Sequence, residues 1–247
     1  MSREFRVLFG KEWKQAVRNR GAVVTATVFP LLFLLVVPGI QAFMAAKGVA
    51  TSTIPTGTFL PPGLANASPK TMFVQFSFPL FLVIGSLVVP SIAASYTVVS
   101  EREKRTVDLL LALPVSLRQI VAAKMGAIAA LALAITLPLV LIDFVVLVAL
   151  GMATPLLLLA YLFELVSTLF FSIASATAVA LLARDFRTSN NLNGAFMGPM
   201  ILITMLFSVL LPWGLYRLLL LGSLMALAGG AILWVALKVV SLERYAL

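Results

Sequence analysis

Long apolar runs separated by short polar segments make up almost the whole chain. An α-helix needs about 20 predominantly apolar residues to cross the hydrocarbon core of a bilayer, and six runs reach that length. They lie at 22–46, 72–97, 125–150, 156–183, 191–211 and 218–239. The strands of a membrane β-barrel would instead show segments of about ten residues with alternating polarity. The pattern therefore predicts an all-α polytopic membrane protein with six transmembrane helices.

Composition supports this class and excludes several kinds of chemistry. Hydrophobic residues make up 62% of the chain and charged residues 11%, whereas soluble domains average about 45–50% and 25%. Because the six runs leave little chain for a soluble domain, we expect residues 1–247 to form a single transmembrane domain. The chain has neither cysteine nor histidine, which excludes thiol and imidazole chemistry. We predict no catalytic site, no metal site and no directly bound cofactor.

The positive charges fall on one side of the predicted spans. Of the 18 Lys and Arg residues, 15 lie before span one, between spans two and three, between spans four and five, or at the end of span six. Loops rich in Lys and Arg remain in the cytoplasm. We therefore predict a plasma (inner) membrane protein in contact with the lipid bilayer, with both termini in the cytoplasm. Because topology accounts for the net charge of +9, no nucleic-acid partner is expected.

Residues 3–20 predict an amphipathic helix ahead of the first span. Apolar residues recur there at helical spacing and basic residues gather on the other side, which is the pattern of a helix in the plane of the membrane interface. The apolar side comprises Phe5, Leu8, Phe9, Trp13, Ala16 and Val17, and the basic side Arg3, Lys11, Lys14 and Arg18. The alternative is a segment that only fixes topology through its positive charge.

A charged segment, residues 100–124, separates the second and third spans. Two serines have capping-box spacing to a Glu or Gln, which indicates a helix start at each end. These pairs are Ser100 with Glu103 and Ser116 with Gln119. Between them, Thr106 can cap a short helix that has Asp108 in its first turn and ends at Pro114. On these grounds a loop that only caps two spans and a helix that docks a partner both remain open.

The same segment closely resembles the signature of type-2 ABC exporter permeases. In that signature an acidic-basic run, a Thr, an acidic residue, a Leu pair and Pro-x-Ser precede a Lys at the third span. The matching residues are Glu101, Glu103, Thr106, Asp108, Leu109, Leu110, Pro114, Ser116 and Lys124. Lys11, Glu12 and Trp13, followed by Arg18-Asn19-Arg20, are similar to the amphipathic N-terminal helix of this family. The charged segment is most similar to permeases related to sodium-efflux systems.

The resemblance implies a coupling helix that sits in a cleft of a separate ATPase subunit and passes its ATP-driven closure to the spans. The residues implied in this contact are Glu101, Glu103, Thr106, Asp108, Leu109, Leu110, Pro114 and Ser116. The resemblance also implies an exporter of two permease copies and two ATPase subunits, with ATP and magnesium bound by the ATPase. Two departures stand out: Arg105 where relatives often have glycine, and little room in 205–217 for the re-entrant helices that relatives carry.

The chain contains no Gly-x-x-x-x-Gly-Lys-Ser/Thr phosphate-binding loop, so it is not expected to be an enzyme by itself. Energy for transport must then come from a separate ATPase or from an ion gradient. Asp143 and Glu164 lie within predicted spans, where inserting a charge costs about 2.5–3.5 kcal/mol. They are candidates for a cation site or a shared proton; alternatively, each is neutral and hydrogen-bonded, or close to the headgroups.

Two alternative functions therefore stand beside the ABC exporter. The first is an ion-gradient-driven secondary transporter that uses Asp143 and Glu164. The second is a membrane relay or anchor subunit of an ATPase complex that transports nothing.

A few polar and small residues mark further positions inside the spans. Gln75, Ser77 and Asn193 are candidates for the transport pathway, although such residues also commonly form interhelical hydrogen bonds. Small residues at four-residue spacing let membrane helices approach closely. They are Gly194 and Gly198 in span five, and Gly222, Ala226 and Gly230 in span six.

Overall fold

Helices account for the described part of the chain, which in this computed structural model comprises residues 3–49, 67–96, 117–182 and 186–243. No strand occurs in these ranges. The helices are α1 (Arg3–Arg18), α2 (Arg20–Ala46), α3 (Pro69–Ala94), α4 (Leu117–Ala149), α5 (Pro155–Leu182), α6 (Phe186–Leu210) and α7 (Leu215–Glu243). Helices α2 to α7 are each long and apolar enough to cross a membrane. The predicted all-α class is confirmed in these residues, with six helices that fit the predicted spans in length and composition.

The helices extend beyond the predicted spans in several places. Helix α4 begins at Leu117, well before the predicted start at 125, because hydropathy marks the membrane-embedded part of a helix and not its end. Only residues 211–214 separate α6 from α7, and they form no further helix. As expected, these residues leave no room for a re-entrant helix between α6 and α7. The predicted coupling helix lies outside the described residues.

Helix α5 lies at the centre of the bundle. It packs most extensively against α7 and α3, and it also contacts α4 and α6. In the span of α5, 61% of residues are buried, against 17% in α6 at the edge of the bundle. At the core, the Phe78 ring of α3 lies 4.8 Å from the Tyr161 ring of α5. Helices α3, α4, α6 and α7 are thus arranged around α5, and α2 packs against α3 and α4.

Helix α1 packs against the start of α4 and connects to α2 through a single residue. That residue, Asn19, caps α2, and its Oδ1 accepts from the Ala22 N–H at 3.2 Å. We call this end of the bundle, with α1, Tyr96 and the start of α4, the basic end. The turns from α4 to α5 and from α6 to α7 lie at the far end. That α1 lies in the membrane interface stays a prediction.

Helices α2 and α3 each contain a π-helical turn, at Leu32–Val36 and Phe73–Ser77. A proline follows shortly after each turn, Pro38 in α2 and Pro79 in α3. Because proline lacks an N–H and clashes with the carbonyl one turn earlier, the helix must rearrange its hydrogen bonds there. In α3 this rearrangement exposes backbone carbonyls to neighbouring helices.

Candidate functional site

A buried ion pair joins α1 to the start of α4. The Lys124 ammonium donates to Glu12 Oε2 at 2.9 Å, and the two side chains are only 8% and 3% exposed. Lys11 Nζ lies 3.4 Å from the other carboxylate oxygen, Oε1. A buried charge is costly alone and is tolerated when a well-placed partner is present. The pair therefore fixes the position of α1 against α4.

Apolar side chains complete this contact. Leu8 of α1 forms a small buried cluster with Ile120 and Ala123 of α4. A Cβ placed on Gly126 would lie 3.4 Å from the Phe9 ring, which shows that α1 and α4 approach closely here. Because both an ion pair and apolar contacts join them, we expect the two helices to move together.

At the far end, the π-helical turn of α3 leaves two backbone carbonyls without a helical donor. The Phe78 N–H bonds to the Phe73 carbonyl, so it does not serve the Val74 carbonyl. Pro79 has no N–H to offer the Gln75 carbonyl. Within a membrane such carbonyls must find donors inside the protein.

Side chains from two other helices supply those donors. The Tyr161 hydroxyl of α5 donates to the Val74 carbonyl at 2.5 Å. Arg217 of α7 donates from Nη2 to the Gln75 carbonyl and from Nη1 to the Ser208 carbonyl, the latter at 3.2 Å. The Ser208 carbonyl is among the last of α6, which the helix itself leaves without donors. Arg217 thus joins α3, α6 and α7, and it is only 1% exposed.

Glu164 of α5 lies fully buried near Arg217. Its charge interacts with the Arg217 guanidinium, yet neither carboxylate oxygen has a hydrogen-bond partner among the described residues. An unsatisfied buried polar group costs about 1–3 kcal/mol, and a charged one more, so it calls for an explanation beyond packing. We call Tyr161, Glu164 and Arg217, with the carbonyls of Val74 and Gln75, the Glu164 cluster.

Asp143 of α4 lies beside this cluster without joining it. Its side chain is buried, and Oδ2 has no hydrogen-bond partner in the part of the chain that the structure describes. The next residue, Phe144, brings its ring to 6.3 Å from the Tyr161 ring. Neither the Glu164 oxygens nor Asp143 Oδ2 have a hydrogen-bond partner among the described residues, so the two acids are not hydrogen-bonded to each other through these atoms. That the two acids share a proton stays a hypothesis.

The family model described as "ABC-2 family transporter protein" matches residues 6–237, nearly the whole chain. The chain belongs to the ABC-2 transporter family. Type-2 ABC permeases are multi-pass membrane subunits that are not catalytic themselves and whose partners are ABC ATPases. No curated protein and no solved structure matches the chain.

The coupling residues implied for this ABC-2 permease lie outside the described residues. They are Glu101, Glu103, Thr106, Asp108, Leu109, Leu110, Pro114 and Ser116. The structure does describe both sides of the segment, up to Tyr96 and from Leu117. Among the predicted residues of the N-terminal helix, Glu12 forms the ion pair, Lys11 lies beside it, and Trp13 packs against the main core.

The predicted pathway residues of the permease are dispersed. Gln75 joins the Glu164 cluster through its backbone, and its Oε1 has no hydrogen-bond partner among the described residues. Ser77 is half-buried in α3. Asn193 lies one turn after Ser189 of α6, which bonds to Ser95 of α3 at 3.2 Å. These residues therefore do not form one site, and their role in transport stays a prediction.

The small residues of the permease fall into two groups. A Cβ on Gly222 would lie 2.7 Å from the Phe163 ring, and one on Gly229 only 2.9 Å from the Phe171 backbone, so α7 and α5 are in close contact. Ala226 is half-buried between them. By contrast, a Cβ on the remaining predicted glycines would meet nothing within 4 Å. These are Gly194, Gly198 and Gly230.

Sequence reasoning missed Arg217, Tyr161 and Gly229. Arg217 is one of the three Lys and Arg residues outside the predicted cytoplasmic segments, and the sequence indicates no other role for it. In the structure its side chain is buried in the bundle. Pro79 was the available signal, because a proline within a span leaves a backbone carbonyl that needs a hydrogen-bond donor from another helix. No comparable signal singles out Tyr161.

Proposed function

We propose that this ABC-2 permease is the membrane subunit of an exporter, which works as a dimer and couples to separate ATPase subunits through residues 100–124. The observation that carries the proposal is the buried ion pair at the end of that segment. Lys124, the last residue of the family signature, has Glu12 of α1 as a defined partner. A force applied to the segment would therefore act on a rigidly connected pair of helices.

Motion would pass from the start of α4 and α1 to the rest of the bundle. Asn19 is the only residue between α1 and α2, and its cap bond to Ala22 limits bending at that joint. Helix α2 contacts α3, which in turn contacts the central α5. The path from the basic end to the Glu164 cluster thus runs through packed helices.

The charge distribution supports an orientation with the basic end in the cytoplasm. ATP and magnesium would bind there on the ATPase subunit, and substrate would leave at the far end. The similarity of the charged segment to sodium-efflux permeases makes a small cation the first substrate class to test. Glu164 is then the first candidate ligand, because its oxygens have no hydrogen-bond partner among the described residues.

The edge position of α6 supports a second permease copy. Only 17% of its span is buried within the chain, and Gly194 and Gly198 present an open surface. Small residues of this kind allow close helix approach in membranes. We place the second copy against this surface of α6.

Co-purification with a candidate ABC ATPase subunit, sought first in the adjacent reading frames, tests the coupling. The two proteins are reconstituted together, and vanadate-sensitive ATP hydrolysis is measured with and without the permease. Asp108→Arg or Leu110→Arg should abolish co-purification and reduce hydrolysis to the level of the ATPase alone. Thr56→Arg adds the same single positive charge as Leu110→Arg, but to residues 47–70, which are predicted on the opposite side of the membrane, and it should change neither.

Normal co-purification and hydrolysis in both loop variants would refute residues 100–124 as the ATPase contact. Transport that runs on an ion gradient with no ATPase present would favour the second candidate function, a secondary transporter that uses Asp143 and Glu164. The observation in favour of that candidate is that Glu164 is fully buried and has no hydrogen-bond partner in the ranges that the structure describes.

A further inference from the structure

A cleft lies along α1 beside the surface that meets α4. It is bounded by α1 and by Tyr96 at the end of α3, and its volume is about 890 Å³. This volume falls in the range of about 300–1,000 Å³ that is typical of ligand pockets. Its polar lining includes Arg6, Lys11, Lys14, Arg18, Asn19 and Tyr96.

The lining of the cleft is strongly cationic. Four Lys and Arg side chains contribute to it, and no acidic residue does so among the described residues. On α1, the Glu12 carboxylate is buried against Lys124 on the α4 side. Lys11 also lies 3.4 Å from that carboxylate. Positive charge is therefore concentrated on the cleft and neutralised on the opposite side of the helix.

The cleft lies at the level where the spans end. Asn19 immediately precedes α2, and Tyr96 follows the span of α3. Tyr side chains at such positions are typical of the headgroup region of a bilayer. Val7 also lines the cleft and is 68% exposed, which gives the cationic surface an apolar neighbour. Cations beside an exposed apolar side chain match a lipid better than a free anion.

We propose that this cleft binds the phosphate headgroup of an anionic phospholipid. Arg6, Lys14 and Arg18 would contact the headgroup oxygens, and Val7 the upper part of an acyl chain. Such a site would fix α1 to the leaflet on the basic side. The proposal does not depend on coupling to an ATPase, because the residues in it lie on α1, at Asn19 and at Tyr96, outside residues 100–124.

Native mass spectrometry of the full-length permease, released from bilayers of phosphatidylcholine and phosphatidylglycerol, tests the site. The wild type should retain phosphatidylglycerol in preference to phosphatidylcholine. A hydrogen bond from a Lys or Arg side chain to a headgroup phosphate contributes about tenfold in affinity, so Lys14→Gln/Arg18→Gln should weaken phosphatidylglycerol binding roughly 100-fold. The single variant Arg6→Gln should weaken it about tenfold and serves if the double variant does not fold.

Arg20→Gln is the matched control. Arg20 is exposed at the same end of the bundle but does not line the cleft. Its substitution removes one positive charge, as Arg6→Gln does. If Arg20→Gln weakens phosphatidylglycerol binding as much as Arg6→Gln does, the proposal is overturned, because the lipid is then held only by general attraction to positive charge. Unchanged lipid binding in the cleft variants would also overturn it.

Two further outcomes identify other occupants and would likewise overturn the lipid assignment. If inorganic phosphate binds to the purified permease while phosphatidylglycerol has no advantage over phosphatidylcholine, the cleft is a site for a free anion. If the cleft variants lose the ATPase subunit but retain phosphatidylglycerol, the cleft is a docking surface for that protein.

Discussion

Two buried carboxylates at opposite ends of the bundle, those of Glu12 and Glu164, differ in their hydrogen-bond and ion-pair partners. Glu12 has two ammonium groups within 3.4 Å, from Lys124 and Lys11. Glu164 is buried at least as completely, yet neither of its oxygens accepts a hydrogen bond among the described residues. Burial alone therefore does not define a role. A paired carboxylate fixes geometry, whereas an unpaired one reduces stability and suggests a function.

The physical cause of the difference lies in α3. Pro79 cannot donate to the Gln75 carbonyl, so Arg217 donates there instead. Arg217 is also the cation whose charge acts on Glu164. Its other donor goes to the Ser208 carbonyl at the end of α6. Arg217 thus satisfies backbone groups first, and Glu164 receives only its charge.

The largest expected effect comes from breaking the satisfied pair. Glu12→Ala leaves the Lys124 ammonium buried without its partner and should lower the free energy of unfolding by about 3–5 kcal/mol. Denaturant titration in detergent measures this loss, with tryptophan fluorescence as the signal; one of the three tryptophans, Trp13, lies on the same helix. The apolar double variant Glu12→Met/Lys124→Leu is the control and should lose far less, because it leaves no buried charge.

A loss of less than about 1 kcal/mol in Glu12→Ala would be typical of an exposed ion pair. The result would refute the view that the ion pair of Glu12 stabilises the basic end of the bundle. An equal loss in the apolar double variant would point instead to the shape of the Glu12 side chain as the stabilising feature.

A smaller effect is expected from the helix contact that holds Glu164 near Arg217. The Cβ of Gly229→Ala would lie 2.9 Å from the Phe171 backbone, so α7 must move away from α5 at a cost of about 1–3 kcal/mol. Gly230→Ala adds the same methyl group where nothing lies within 4 Å and should be neutral or stabilising. Thermal unfolding of the two variants measures the difference. Equal stability would mean that this contact is loose and does not fix the environment of Glu164.

The sequence predicted the spans well but not the contacts between them. Continuous apolar runs identify membrane helices because the bilayer imposes length and polarity on each helix separately. The partners in the two sites are far apart in the chain: Lys124 follows Glu12 by 112 residues, and Arg217 follows Gln75 by 142. Local patterns carry no information about such pairs.

The glycines of α7 show the same limit. Four-residue spacing led from Gly222 to Gly230, but the close contacts with α5 are made by Gly222 and Gly229. At 3.6 residues per turn, seven residues nearly complete two turns, whereas eight move onto another face. Sequence spacing therefore gives a set of candidate faces, and only the position of α5 selects one of them.

The smallest change in stability is expected at the unsatisfied carboxylate. Glu164→Gln removes a charge but no hydrogen bond, so the free energy of unfolding should change by less than about 1 kcal/mol. The same substitution at the other site, Glu12→Gln, weakens a charged hydrogen bond and should cost about 1.5–3 kcal/mol. If Glu164 acts in transport, Glu164→Gln loses ATP-driven transport in reconstituted vesicles while its stability is preserved. An equal loss of stability at both sites would show that Arg217 stabilises Glu164 through charge alone, and the two carboxylates would then be structural in the same sense.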